Sequence, residues 1–124
     1  MTLTKLKNFL FSTPTSVINR SDLPDDFDWS DPSYVYIGRP HPTVPTDAVG
    51  GTGVFGNPFA VRSREENIDN FEDYFLHKVR TDSSFAFMVG MLRGKKLVCG
   101  CVGDSEGKPL PCHGDIIKEY LDAT

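Results

Sequence analysis

The sequence predicts an α/β fold: a small Rossmann-like domain with a short, mainly parallel sheet flanked by helices. The β-branched and aromatic segment "YVYIG" at residues 34–38 is typical of a buried strand, and "KLVCGC" at 96–101 is predicted to form a second one. Amphipathic helical segments separate these strands and follow the second one. Strands that are joined through helices normally lie parallel, with a right-handed crossover. The length of 124 residues fits one domain with one core.

Residues 1–33 are rich in Thr, Ser, Pro and Asp, and they predict an irregular N-terminal extension before an α/β domain at residues 34–124. This extension would pack through Phe27 and Trp29, or it would serve as a flexible arm or a partner-specific attachment. The α/β domain begins with the strand "YVYIG".

A long loop from Arg39 to Arg62 follows the first strand and contains several prolines and glycines. Connections of this length in a compact domain are usually functional or disordered. Because "GVFGNPF" at residues 53–59 has two phenylalanines that can pack on the core, we expect an ordered, functional loop.

Three helices are predicted after this loop. Ser63 and Glu66 form a capping box at the start of the first, whose apolar stripe recurs at three- and four-residue spacing. The second runs from about Ser83 to Leu92, with Gly94 just beyond its end. The third, after the strand "KLVCGC", covers about residues 114–121.

Composition limits the function. The net charge is -4 and the pI is about 5.2, with no Lys/Arg cluster, so nucleic-acid binding is not favoured. No apolar run approaches the roughly 20 residues that span a bilayer, and no membrane partner is expected. The 3 cysteines all lie within residues 99–112, whereas a disulfide-built secreted domain would spread an even number. We therefore expect a cytoplasmic protein.

Polar residues follow both predicted strands. Because parallel strands present their carboxyl ends at one edge, and open α/β sheets bind ligands there, the two loops should face one crevice. Arg39 could bind a phosphate in bidentate fashion, and the free N–H groups of the last helix would favour an anion. The glycine-rich loop matches no standard phosphate-binding motif, so its glycines could simply permit turns. The predicted ligand-binding residues are Gly38, Arg39, Gly56, Asn57, Pro58 and Gly114.

The cysteines and a histidine suggest two further kinds of site. Zinc is bound by thiolate and imidazole ligands, and a set of three cysteines and one histidine would suit it. In the alternative, Cys112 at a helix N-terminus is a nucleophile with His113 or His41 as its base. The structural alternative is that these cysteines are small buried hydrophobes. The candidate metal ligands are Cys99, Cys101, Cys112 and His113.

The chain from Tyr34 to Leu121 resembles the domain-of-unknown-function family 4326, small proteins found in phage and bacterial genomes. The matching segments are "YIGRP", "GVFGNPF", "NIDNFEDYF", "LRGKKLVCGC" and "PCHGDII". The resemblance implies no established activity, but it implies that the polar residues of these motifs belong to one site.

Two functions remain open from the sequence. The first is a domain that binds or processes a phosphate- or ribose-bearing small molecule: a nucleotide, ADP-ribose or a nucleoside-like compound. Asp115 and His113 would serve any catalysis, such as N-glycosidic chemistry. The second is a zinc-stabilised interaction module of phage type that binds a host protein without catalysis. The sequence does not decide whether the protein is an enzyme.

Overall fold

A three-stranded parallel sheet forms the centre of the described part of the chain. The computed structural model describes residues 14–59, 63–100 and 112–123. The strand order is β1-β3-β2, and both outer strands run parallel to the central one, which confirms the predicted α/β class. The strands are β1 (Ser16–Asn19), β2 (Tyr34–Tyr36) and β3 (Lys96–Cys99).

Strand β1 differs from the prediction, because it lies within residues 1–33, which were expected to be irregular. It pairs with β3 from Ser16 opposite Lys96 to Asn19 opposite Cys99. A division of the chain at residue 33 would therefore separate β1 from its own sheet. A short 3-10 helix, Arg20–Asp22, follows it directly.

Phe27 and Trp29 pack as predicted. Their rings meet edge to face with centroids 5.0 Å apart, and Trp29 meets the ring of Tyr36 in β2 in the same way at 6.0 Å. These aromatic contacts attach the segment between β1 and β2 to the sheet.

Three helices follow at the positions that periodicity predicted, with shifted ends. Ser63 caps the first helix by accepting a hydrogen bond from the N–H of Glu66, as the capping box requires. Asp82 ends that helix and caps the next one. The second helix ends two residues before the predicted Leu92. The helices are α1 (Arg64–Thr81), α2 (Ser83–Gly90) and α3 (His113–Ala123).

The two faces of the sheet are covered differently. Val35 and Leu97 point to a core that all three helices share, with Phe71 and Phe75 of α1 at its centre. The alternate strand residues, including Val98, pack instead against Trp29, Val44 and their neighbours. The three described α-helices therefore lie on one face, whereas a doubly wound domain has helices on both. None of the helices formed by the described residues is long and apolar enough to cross a membrane.

Candidate functional site

The chain leaves β2 through a tightly held turn at the carboxyl edge of the sheet. The N–H of Ile37 donates to the Val98 carbonyl at 2.9 Å, which extends the pairing one residue beyond the strand. The Tyr36 hydroxyl then donates to the Arg39 carbonyl at 2.5 Å, so the ring of Tyr36 packs against the turn. A methyl group on Gly38 would lie 2.4 Å from this hydroxyl oxygen, so any larger residue at position 38 would displace the Tyr36 ring.

The glycine-rich loop returns to the same edge. A methyl group on Gly56 would lie 3.0 Å from the Gly38 carbonyl oxygen, so the two loop backbones are in close contact. Asn57 is only 7% exposed; its side-chain oxygen accepts from the N–H of Phe59 at 2.9 Å, and its NH₂ donates to the Asn67 carbonyl at 3.2 Å. Asn57 thus fixes the loop to the first turns of α1, while Pro58 is exposed.

Arg39 is held by the main chain of this loop. Its Nε donates to the Asn57 carbonyl at 2.7 Å, and its Nη2 donates to the Phe59 carbonyl at 2.8 Å. These bonds use one side of the guanidinium fork and two of its five N–H groups. Among the described residues, no acceptor is bound to the other three. The side chain is therefore fixed in direction and still able to donate.

His113 ties the first turn of α3 to the end of β2. Its ring is 5% exposed, and its Nε2 lies 2.6 Å from the Ile37 carbonyl oxygen. Because a carbonyl can only accept, Nε2 has the hydrogen in this bond. The other nitrogen, Nδ1, lies 3.9 Å from the Cys112 sulfur, and the ring meets the edge of Phe71 with centroids 5.0 Å apart. These contacts of His113 are structural, because they hold the first turn of α3 against the end of β2 and against α1.

Gly114 brings this helix onto the sheet. A methyl group there would lie 2.8 Å from Ile37 Cδ1 and 3.0 Å from Val17 Cγ1, so glycine permits contact with both outer strands. Its N–H donates to the sulfur of the buried Cys112 at 3.3 Å, which satisfies one of the free N–H groups at the helix start. Asp115 lies exposed in the same turn.

The predicted zinc site is only partly within the described residues. Cys101 lies outside them. Within residues 14–59, 63–100 and 112–123, no three His, Cys, Asp or Glu side chains are placed to hold a metal ion. Cys99 and Cys112 are both buried thiols, at 4% and 6% exposure. The three described members of the set therefore form no metal centre by themselves.

One polar residue at this edge was missed. Arg20 directly follows β1, so it leaves the sheet at the same end as Arg39. The segment "SVINR" repeats the form of "YVYIGR", in which a β-branched strand is followed by a turn residue and an arginine. This local similarity is the signal in the sequence, and it lies within the segment predicted as the N-terminal extension.

The fold and the site together define the class: a small α/β domain whose polar residues gather at the carboxyl edge of a three-stranded parallel sheet. The chain belongs to the family described as Domain of unknown function (DUF4326), whose model matches residues 24–123. It is also 38% identical over 60 residues to the "Uncharacterized 12.4 kDa protein in nrdA-td intergenic region" of Enterobacteria phage T4. That match covers 48% of this chain and 50% of the phage protein. No solved structure matches the chain.

Proposed function

We propose that this domain binds a small molecule bearing phosphate or ribose, such as a nucleotide, ADP-ribose or a nucleoside-like compound, at the carboxyl edge of its sheet. The observation that best supports this proposal is the way in which the loop holds the Arg39 side chain. Its guanidinium is oriented by two main-chain carbonyls, at 2.7 and 2.8 Å, and within the described residues its other three N–H groups have no acceptor. A planar donor fork of this kind suits the oxygens of phosphate.

The orientation of Arg39 favours binding in energetic terms. A free arginine side chain loses rotamer freedom when it binds a ligand, at a cost of about 0.5–1.5 kcal/mol. In this protein much of that ordering has already occurred, because the loop holds the guanidinium. The buried amide of Asn57 in turn holds the loop.

The first turn of α3 supports the same proposal. Helix N-termini favour anions, and this one packs directly on the sheet through Gly114. Asp115 is the exposed acid of that turn, so it is the group available to accept from a ribose hydroxyl or to act as a general base. His113 is buried, and in this proposal it positions the Ile37 carbonyl and the turn beyond it.

A thermal-shift panel tests the proposal, with AMP, ADP, ADP-ribose and adenosine as ligands. A ligand at 100 times its Kd stabilises the folded state by about 2.7 kcal/mol, which raises the Tm by more than about 5 °C for a chain of this size. We expect phosphate-bearing ligands to raise the Tm and adenosine to raise it less. No shift with any of these ligands would contradict the proposal.

Substitution of Arg39 then localises the site. In isothermal titration calorimetry, Arg39→Gln should weaken binding at least about tenfold, because a hydrogen bond to a charged group contributes about 1.5–3 kcal/mol. Arg80→Gln is the matched control, since Arg80 is an exposed arginine in the last turn of α1. Denaturation of both variants establishes that they are folded. Unchanged affinity in folded Arg39→Gln would exclude Arg39 from the site.

A further inference from the structure

Helix α2 is apolar on both of its sides. Phe85 and Val89 are buried in the core, whereas Phe87 on the opposite side is 71% exposed. Met91, the residue that caps the end of the helix, is 63% exposed. Because a helix that is apolar all round is normally buried all round, one side of α2 lacks the cover that its residues favour.

Exposed hydrophobic side chains are concentrated at this helix. In the described part of the chain four large hydrophobic residues are exposed, and three of them are Phe87, Met88 and Met91. The sequence from Ser83 to Leu92 contains no charged residue. Single exposed hydrophobic residues are normal on a protein surface, but a contiguous group of them indicates a site of protein contact.

The outward face of α2 combines large and small side chains. Gly90 lies within the helix and not in a left-handed turn, and a methyl group there would meet nothing among the described residues within 4 Å, apart from the local helix backbone. The described fold therefore does not require glycine at this position, although glycine is less favourable than alanine in a helix. Glycine does permit the close approach of another molecule. The face consists of Ser83, Ala86, Phe87, Gly90 and Met91, at three- and four-residue spacing.

We propose that this face binds a second copy of the chain, through two α2 helices that pack antiparallel about a two-fold axis. A two-fold interface uses the same surface on both copies. With the axis at the middle of residues 86–91, Phe87 of one copy lies opposite Gly90 of the other. In the same arrangement Met91 lies opposite Ala86. Each large side chain then meets a small one, which is how well-packed layers interdigitate.

The charges at the two ends of α2 favour the antiparallel arrangement. Asp82 precedes the helix, and Arg93 and Lys95 follow it. Antiparallel packing brings the acidic start of each helix beside the basic end of the other, and it pairs opposite ends of the two helix dipoles. Arg93 has another contact within its own chain, but its five N–H groups can donate to more than one acceptor.

The size of the face predicts a weak dimer. Its five residues cover on the order of 400 Å² per copy, whereas a stable interface covers about 800 Å² per partner. We therefore expect a reversible dimer with a Kd on the order of 100 μM. This interface does not depend on the ligand site at Arg39, so either proposal can fail without the other.

Sedimentation velocity of the whole chain, from about 10 μM to about 1 mM, tests the proposal across the expected Kd. The wild-type protein should shift from monomer toward dimer. Phe87→Glu should weaken association at least about tenfold, because it sets two carboxylates near the axis. Val49→Glu is the matched control: Val49 is an exposed hydrophobic residue outside α2, and the same change there should leave the dimer intact.

Gly90→Leu tests the close approach of the two helices. In a single chain the new side chain has open space, so the urea midpoint of the dilute protein should equal or exceed that of the wild-type protein. In the dimer it would occupy the space of the other copy's Phe87, so we expect association to weaken at least about tenfold. Wild-type association in folded Gly90→Leu would overturn the inference.

Three other results would also overturn it. The first is a wild-type protein that stays monomeric up to about 1 mM. The second is a dimer that persists unchanged in Phe87→Glu. The third is a dilute Phe87→Glu protein that urea unfolds much more readily than dilute Val49→Glu, because the face would then be covered within one chain and not by a second copy.

Discussion

The hydrogen bond between His113 and Ile37 is the polar contact described between α3 and the end of β2. Two substitutions separate the contribution of this bond from that of the ring. His113→Phe removes the hydrogen bond but keeps a ring against Phe71. His113→Ala removes both. The variants therefore distinguish the polar contact from the aromatic packing.

The structure sets the expected sizes. Without the histidine, the Ile37 carbonyl loses the 2.6 Å bond in a site where the ring is only 5% exposed. An unsatisfied buried polar group costs about 1–3 kcal/mol, and we expect His113→Phe to lower the free energy of unfolding by about that amount. His113→Ala removes the whole ring, and we expect it to lower the free energy of unfolding by about 3–5 kcal/mol, as other large aromatic truncations do.

Urea denaturation followed by fluorescence measures both values, with linear extrapolation of the free energy of unfolding. His77→Ala is the control, because His77 is exposed on α1 and should change stability by less than about 0.5 kcal/mol. If His113→Phe were as stable as the wild-type protein, the Ile37 bond would not contribute to the stability of the fold.

Three further predictions concern other parts of the molecule. Gly50→Ala should destabilise the protein by about 1–3 kcal/mol or more, because Gly50 has φ 77° and a methyl group there would overlap the Tyr36 carbonyl oxygen; a wild-type urea midpoint would contradict this. The Cys112 thiol is 6% exposed, so iodoacetamide should label it slowly in the folded protein, as followed by mass spectrometry; rapid labelling would instead support the thiol-enzyme alternative. Hydrogen bonds from the hydroxyl and then the N–H of Ser30 hold the pKa of Asp28 below its ordinary value, so they stabilise the fold above the unfolded pKa and are lost as the pH falls through the folded pKa. Ser30→Ala should raise this pKa in an NMR titration, and an unmoved pKa would assign the shift to another cause.

Local features of the sequence predicted much of the fold. The capping box located the start of α1 because Ser63 and Glu66 interact within one turn. Periodicity found the buried face that contains Phe71 and Phe75. The parallel arrangement of "YVYIG" and "KLVCGC" followed from the helices between them. The loop after the second of these strands, at residues 101–111, lies outside the described residues.

Long-range pairing explains what was missed. Strand β1 has four residues, all of them half-buried, and its stability depends on β3, which is about 80 positions away in the chain. Residue type also did not reveal that Arg39 and His113 use main-chain carbonyls as partners. Such carbonyls occur at every residue, so only the folded backbone determines which of them a side chain reaches.

Amide chemical-shift mapping with ADP tests the central claim most directly. In ¹⁵N-labelled protein we predict that the largest changes occur at the carboxyl edge of the sheet, around Gly38, Arg39 and Gly56, and that Arg39→Gln abolishes them. Saturating ADP with no change at this edge, or with changes confined to the opposite edge, would contradict the account.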